Sequence, residues 1–389
     1  MQHTRPTRRD VLRSAAITGG TLASGSLAGS LAVAGTSLFP ERRTKRVVFI
    51  AFAGGVRTKE TFGTPANIPN LQAMADEGVL YPRMRTANLG HYGATLSIFT
   101  GISEARGIRD NTRGPDPTLF EYLRKDLGLA ASDVWITTSG GAQQANYAYG
   151  LHPEYGAKYG ATTLDGDGIF NREFKDMVAS YGTPKPMPAG EKELLDRLRR
   201  GIQGGRERGV DPVKEAENLA RVEEYILNEL TQGTSGIAGA GAGDGKALRL
   251  ARNLLSLFKP KVVSVVLQNA DIAHGSFNGY QEVIRRNDAA IGELWTAVRE
   301  DPELADSTAF FVLPEFGRNR DLNTRRGLDH GDGSDDLRWV SCVAWGPDFK
   351  HGVVNNTAQR VIDVSGTICD LFGANPKYSK GGQLSGLLG

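Results

Sequence analysis

Acidic residues and histidines stand close together in two segments of the chain, at spacings that suit metal binding. Asp271 precedes His274 by three residues, shortly after a run of apolar residues. Asp329 is followed at once by His330, in a segment that is rich in glycine. Carboxylate and imidazole groups are ligands for zinc and similar divalent ions. We therefore predict that Asp271, His274 and His330 bind a divalent metal ion.

Arginines follow two apolar runs elsewhere in the chain. Arg57 comes shortly after Val47–Phe52, and Arg318 comes shortly after Ala309–Leu313. A guanidinium group can pair with two oxygens of a phosphate or sulfate at once. The positions therefore predict that Arg57 and Arg318 bind an anionic substrate, and a solvated arginine at either position is the alternative interpretation.

Short runs of β-forming apolar residues alternate with helical patterns along much of the chain. The runs are Val47–Phe52, Val134–Thr137, Val262–Leu267, Ala309–Leu313 and Val340–Trp345. Helical periodicity separates most of them, as in residues 281–300 and 359–372. This alternation predicts an α/β fold with a mostly parallel, doubly wound sheet and helices on both faces. Because such sheets bind ligands beyond the carboxyl ends of their strands, the candidate residues should meet at one edge.

The middle of the chain has a different composition. Residues 191–200 and 213–230 form charged, amphipathic helical patterns, and residues 233–245 are rich in glycine, alanine and serine. We predict a helical insertion over residues 165–257, with a glycine-rich linker inside it. The rest of residues 35–389 is predicted to form a single α/β domain.

The first 34 residues have the layout of an export signal. Arg8 and Arg9 form a twin-arginine motif, a weakly apolar stretch follows, and Ala32 and Ala34 suit a signal peptidase. We predict that the twin-arginine translocase exports the protein and that residues 1–34 are removed. The mature protein would then be periplasmic or secreted. The apolar stretch is too poor in large side chains to remain as a stable membrane anchor.

Composition argues against several other classes of protein. The formal net charge of +2 gives no reason to expect a nucleic-acid partner. The two cysteines, Cys342 and Cys369, are too few for a disulfide-stapled scaffold or a cysteine-rich zinc module. Both stand in apolar segments that are typical of buried thiols, and a disulfide between them remains open.

Several segments resemble motifs of the alkaline phosphatase and sulfatase superfamily. Residues 68–79, IPNLQAMADEGV, resemble the TPNLDALAREGV helix of the sulfatases. Four shorter segments also resemble motifs of these proteins. Residues 97–101 resemble the end of the helix that carries the nucleophile, and Gly346-Pro347 resembles a GP pair at the end of a late strand. Residues 361–367 resemble a helix with the motif DIxPT, and residues 381–384 resemble a closing GxxL motif. The EFGR of residues 315–318 and the DHG of residues 329–331 are similar to an uncharacterised, twin-arginine-exported branch of sulfatase-like proteins.

The resemblance implies an alkaline-phosphatase-like fold with two metal ions that hold a phosphate or sulfate ester during nucleophilic attack. The three residues predicted above to bind a metal match the ligands of one ion. The ligands of the second ion are incomplete in this sequence. The first aspartate of the family falls at Ala53 or Gly54, and the late Asp-His pair falls at Glu315 and Phe316.

The position of the family's nucleophile falls on His91, and a shifted alignment offers Thr86 or Thr95 instead. His91 is therefore a candidate nucleophile, a candidate fourth metal ligand or a structural histidine. Glu315 is a candidate general base or a further ligand.

Two functions follow from these residues. The first is an exported hydrolase that holds one divalent ion, zinc or calcium, and acts on a small phosphate, sulfate or phosphonate ester. The second is a catalytically inactive protein of the same fold that serves as an extracytoplasmic binding or structural protein. The retained aspartate and histidines favour the first function, and the incomplete second set of ligands favours the second.

Overall fold

The structure is a computed structural model that describes residues 41–104, 112–140, 144–166, 225, 229 and 233–389. The predicted export signal and most of the predicted insertion lie outside the described residues. Arg42–Gly389 forms one compact unit.

A nine-stranded sheet runs through the described residues in the order β4-β3-β5-β1-β6-β7-β2-β8, and β9 lies beside β2. The strands are β1 (Arg46–Phe52), β2 (Val79–Arg85), β3 (Val134–Thr138), β4 (Thr162–Asp165), β5 (Val262–Leu267), β6 (Thr308–Pro314), β7 (Trp339–Trp345), β8 (Val353–Val354) and β9 (Gln359–Arg360). Only β7 is antiparallel to its neighbours, β6 and β2. The predicted mostly parallel α/β sheet is therefore confirmed.

Helices cover both faces of this sheet. They are α1 (Pro69–Glu77), α2 (His91–Thr100), α3 (Leu119–Asp126), α4 (Ala242–Phe258), α5 (Phe277–Glu300), α6 (Pro302–Ala305), α7 (Asp335–Arg338) and α8 (Asp363–Phe372). Helices α1, α4 and α5 pack against one face, and α2, α3 and α8 pack against the other.

The central strand β1 shows why its sequence is a continuous apolar run. Val48 and Ile50 point into the core under α1, α4 and α5. Val47 and Phe49 point into the opposite core under α2, α3 and α8. Because successive side chains of a strand face opposite sides, a strand that is buried on both faces needs apolar residues at every position.

Helix α4 lies within the range predicted as an insertion, but it belongs to the helical layer of the sheet. Its apolar side chains, Leu250 and Leu254 among them, are buried with residues of β5. The glycine-rich stretch predicted as a linker contains the start of this helix. A Cβ atom at Gly243 would lie 2.4 Å from the Ser139 carbonyl oxygen, so glycine is needed there for close packing.

The two cysteines are free and buried, Cys342 on β7 and Cys369 on α8. Burial raises the pKa of the Cys342 thiol to about 12, which leaves it protonated and inert. Among the described residues, no helix is long and apolar enough to cross a membrane.

Candidate metal and cation site

The candidate residues meet at the carboxyl edge of the sheet, beside the central strands. A 3-10 turn, Asn269–His274, follows β5 and carries Asp271 and His274. Glu315 and Arg318 follow β6, and His91 begins α2. Functional groups gather at this edge because the loops that leave neighbouring parallel strands all emerge there.

Four side chains form one cluster, which we call the His/Asp cluster: His91, Asp271, His274 and His330. One ligand atom from each lies within 4.8 Å of all the others. Oδ1 of Asp271 is 3.0 Å from Nε2 of His91 and 3.2 Å from Nε2 of His274. The ring centroid of His330 lies 4.6 Å from that of His91 and 5.0 Å from that of His274. The structure thus brings together the three predicted metal ligands and adds His91 to them.

Each histidine of the cluster has its Nδ1 atom held by an oxygen acceptor. The pairs are His91 Nδ1 with Glu315 Oε1 at 2.5 Å, His274 Nδ1 with Asp329 Oδ1 at 2.7 Å, and His330 Nδ1 with the Leu89 carbonyl oxygen at 3.0 Å. These acceptors assign a proton to each Nδ1 atom. Nε2 is therefore the nitrogen of each ring that is available to ligate a metal.

Two of the separations between ligand atoms are close to those of a tetrahedral metal site. With metal–nitrogen distances of about 2.0–2.1 Å, neighbouring ligand atoms of a tetrahedral zinc site lie about 3.3 Å apart. The two measured separations from Asp271 Oδ1, 3.0 and 3.2 Å, are close to that value. Nε2 of His91 is also buried, and it faces Asp271 Oδ1 inside the ligand set.

Burial and the neighbouring carboxylates act on the pKa of His91 in opposite directions. Burial lowers the pKa of His91, but Glu315 and Asp271 outweigh it and raise this pKa to about 9. Burial acts on Asp271 in the opposite direction, and His91 together with Arg318 holds the pKa of Asp271 below its ordinary value. Burial and the nearby cationic groups lower the pKa of His330 to about 4, so that His330 is neutral at pH 7.

Glu315 supports the His/Asp cluster through its contact with His91. Its side chain is fully buried, accepts a hydrogen bond from the Thr95 hydroxyl at 2.5 Å and contacts His91. Burial raises the pKa of Glu315 to about 7, while His91 and Thr95 oppose the rise. Glu315 thus reaches the cluster through His91. The Thr95 hydroxyl is turned to Glu315, and Thr86 lies just beyond β2, where its backbone N–H donates to the Arg338 carbonyl.

Arg318 contacts two residues of the His/Asp cluster, and its side chain is 0% exposed, which leaves no surface for a substrate. Its five N–H groups all have acceptors. These are Gly55 O at 3.2 Å, Leu328 O at 3.1 Å, Gly54 O, Asp271 Oδ1 at 2.5 Å and His274 Nε2 at 3.2 Å. All of these donors are used within the protein, so the contacts of Arg318 give its predicted substrate-binding role no support.

The guanidinium of Arg57 is held by one carboxylate and two backbone carbonyl oxygens. Its guanidinium donates to both carboxylate oxygens of Glu60, at 2.7 and 2.5 Å, and to the carbonyl oxygens of Asn319 and Arg320. Arg57 and Glu60 are both buried. The predicted anion-binding role of Arg57 therefore has no support in its contacts, which are those of a structural ion pair.

Gly54, one of the two positions at which the family's first aspartate falls, has no room for a side chain. A Cβ atom at Gly54 would lie 2.5 Å from the Gln268 carbonyl oxygen and 2.7 Å from the Asp271 backbone nitrogen. Glycine at this position lets the turn that carries Asp271 pack directly on the β1 backbone.

Sequence reasoning missed the residues that orient the histidines. Asp329 stands beside His330 in the sequence, but its carboxylate contacts His274. Adjacency to a predicted ligand was the one available signal, and it indicated the wrong histidine. The Leu89 carbonyl carries no signal in the sequence at all, because every residue has one.

Comparison with models of protein families gave no match, and a search of curated proteins gave none either. Solved structures do resemble this chain. A mutant of the alkaline phosphatase PafA has a TM-score of 0.58 and 10% sequence identity, covering 91% of this chain and 100% of that one. A Bacteroides thetaiotaomicron protein described as a sulfatase has a TM-score of 0.54 and 12% identity, covering 88% and 74%.

A 2-O GAG sulfatase is similar to the same extent, with a TM-score of 0.51 and 12% identity over 88% of this chain and 73% of that one. Together with the sheet order and the position of the cluster, these likenesses identify the architecture. The protein has the fold of the alkaline phosphatase and sulfatase superfamily.

Proposed function

We propose that this protein is an extracytoplasmic, metal-dependent hydrolase that cleaves a phosphate, sulfate or phosphonate ester. The observation that carries the proposal is the convergence of one imidazole nitrogen from each of three histidines and one carboxylate oxygen within 4.8 Å of one another. The fold, shared with an alkaline phosphatase and a GAG sulfatase, supports it.

The four residues of the His/Asp cluster would hold one zinc ion. Three of the four donors are imidazole nitrogens, whereas calcium takes six to eight oxygen ligands, so we choose zinc over calcium. When bound, the ion would polarise an oxygen of the ester and lower the pKa of a bound water.

We assign His91 as the fourth metal ligand rather than the nucleophile. Its Nε2 atom is buried and faces Asp271 Oδ1 at 3.0 Å, inside the ligand set. Its Nδ1 atom is held by Glu315, an arrangement that orients metal-binding histidines and raises their basicity. The nucleophile is then water: its oxygen forms the new bond to phosphorus or sulfur, and the ester oxygen leaves as an alcohol after taking up a proton.

The substrate would approach from the side of the two partly exposed carboxylates. The side chains of Asp271 and Asp329 are 46% and 40% exposed, while Glu315 on the opposite side is fully buried. The twin-arginine motif supports export by the twin-arginine translocase, and small anionic esters outside the cytoplasm are the substrates that we expect.

Metal analysis of the purified mature protein tests the proposal, with His274→Ala and His330→Ala beside the wild type. We expect close to one zinc per wild-type chain and a loss of most of it in both variants, because each removes one of four ligands. Less than about 0.1 zinc per wild-type chain after zinc exposure would contradict the site.

A panel of aryl phosphate, sulfate and phosphonate esters then tests catalysis. Turnover should depend on added zinc and should fall at least about 100-fold in His274→Ala. Turnover that survives both zinc removal and His274→Ala would show that a different site is responsible.

A second function, binding without catalysis, is favoured by one observation. Gly54 leaves no space for a further metal ligand, and the buried Arg318 lies against it. A protein that binds zinc fully but turns over none of the three ester classes would support this alternative.

A further inference from the structure

Arg318 occupies an unusual position for a buried charge. Asp271 is the one carboxylate within ion-pair distance of Arg318 among the described residues, and that carboxylate is shared with two histidines. Arg57, by contrast, pairs with both oxygens of the Glu60 carboxylate. Most acceptors of Arg318 are backbone carbonyls, so its positive charge is only partly neutralised.

The guanidinium contacts two atoms that also belong to the metal ligand set. Nη2 donates to Asp271 Oδ1 at 2.5 Å, and Nη1 lies 3.2 Å from His274 Nε2, the nitrogen assigned above as a ligand. A hydrogen bond to that nitrogen uses the lone pair that a metal ion requires. Arg318 and a divalent ion therefore compete for the same lone pair on His274 and share the same oxygen on Asp271.

The fold is built to hold the guanidinium at this place. Gly55 adopts a φ of +66°, and a Cβ atom there would lie 3.0 Å from Arg318 Nε and 2.8 Å from the ring of Phe316. Gly54 and Gly55 both turn their carbonyl oxygens to Arg318. Gly55 thus leaves the space for the guanidinium, and the carbonyl oxygens of both glycines accept hydrogen bonds from it.

We infer that Arg318 is a built-in second cation of this site: it shares Asp271 and His274 with the divalent ion, lowers the affinity for that ion and confines the site to one ion. The inference rests on the proposed function and deepens it. Because Arg318 is buried, it acts as a positioning residue that sets charge and ligand geometry and does not contact substrate. A fixed charge next to a divalent ion weakens binding by electrostatic repulsion, and it is least screened where water is excluded.

Two variants separate the charge of Arg318 from its hydrogen bonds. Arg318→Gln removes the charge and retains an N–H donor, and Arg318→Lys retains the charge. Arg46→Gln is a matched control, because Arg46 is also buried but lies at the opposite end of β1, where it pairs with Glu303. Zinc affinity would be measured by competition with a chelating dye, and stoichiometry by metal analysis of the full chain.

We expect Arg318→Gln to bind zinc at least tenfold more tightly than the wild type, with Arg318→Lys and Arg46→Gln within threefold of it. Unchanged or weaker binding in Arg318→Gln, with normal binding in the wild type, would overturn the inference and leave the proposed metal site intact. Zinc binding by Arg318→Gln alone would support the inference and contradict zinc occupancy of the wild type. If neither protein binds zinc, both ideas fail.

A measurement on the wild type covers the case in which Arg318→Gln does not fold. The Nε–H signal of Arg318 in a nitrogen-15 NMR spectrum is assigned through its loss in Arg318→Lys. Zinc should shift this signal, because the ion displaces Nη1 from His274. Zinc binding without any change in the signal would overturn the competition.

Discussion

A hydrogen bond at the Nδ1 atom of each histidine decides which ring nitrogen faces the cluster. Glu315 holds Nδ1 of His91, and Asp329 holds Nδ1 of His274. Glu315 is fully buried, whereas Asp329 is 40% exposed. The same carboxylate–histidine hydrogen bond therefore occurs once inside the core and once near the surface, where water can replace the carboxylate more easily.

The replacement of Glu315 tests how much its contact with His91 contributes to zinc affinity. Glu315→Gln keeps the shape of the side chain but removes the charge that supports His91, so zinc affinity should fall by about 10–100-fold. Asp329→Asn should weaken zinc binding by a smaller factor, because water can take over the contact. Zinc titration of the purified variants measures both effects.

An exposed histidine away from the cluster provides the control. His351 Nδ1 contacts the Glu77 carbonyl oxygen at 2.9 Å, and His351→Asn should leave zinc affinity unchanged. Equal zinc affinities for Glu315→Gln and the wild type would mean that Glu315 serves packing alone.

The turn Asn269–His274 is held in place by hydrogen bonds to the start of the neighbouring helix α4. At the start of α4, the backbone N–H of Asp244 donates to the Asn269 side chain at 2.9 Å, and the backbone N–H of Asn269 donates to the Asp244 carboxylate at 3.1 Å. Asn287 on α5 donates to the same carboxylate at 2.8 Å. Asp244 therefore ties two helices to the turn that carries two of the proposed metal ligands.

The buried carboxyl of Asp244 predicts a pH dependence of stability. Burial raises the pKa of Asp244 to about 6, above its usual value of 3.8, although its hydrogen bonds oppose the rise. The folded state therefore binds this proton more tightly than the unfolded state does. Stability from this group is present below about pH 4 and is lost as the pH rises to about 6.

Asp244→Asn should remove that contribution. From pH 4 to pH 6, the free energy of unfolding of the wild type should fall by roughly 1–3 kcal/mol relative to the variant and then stay level. Urea unfolding at pH values between 4 and 7 measures the difference. A constant difference between the two proteins across this range would show that Asp244 titrates in the folded state as it does in the unfolded chain.

At the scale of the whole molecule, the ligands come from segments that are far apart in the sequence. His91 begins α2, Asp271 follows β5, and His330 lies in the loop before α7. An ion that joins these segments binds the folded state alone. Its binding energy therefore adds directly to the free energy of unfolding.

Zinc at about 100 times its dissociation constant should stabilise the wild type by about 2.7 kcal/mol, which raises Tm by roughly 3–5 °C for a unit as large as Arg42–Gly389. Thermal unfolding with zinc or with chelator measures the shift. His330→Ala should show little of it, and magnesium should not replace zinc. A zinc-induced shift of the same size in His330→Ala would place the ion elsewhere.

Much of the architecture could be predicted from the sequence because it depends on local patterns. The run Val47–Phe52 is apolar at every position, and β1 is buried on both faces. The extent of the insertion was harder to predict, because α4 combines a charged outer face with an apolar inner one. Its place in the helical layer follows from packing against β3 and β5, which a sequence pattern does not reveal.

The features of the site likewise fall into those that the sequence predicts and those that depend on the fold. The sequence by itself determined that Asp271, His274 and His330 stand near strand ends, since three-residue spacing and apolar runs are local features. The tertiary structure alone decided that Asp329 serves His274, that Glu315 supports His91 and that Arg318 lies buried among the ligands. Those roles depend on which atoms meet across the fold and on how much water remains between them. Neither quantity is contained in residue type or spacing.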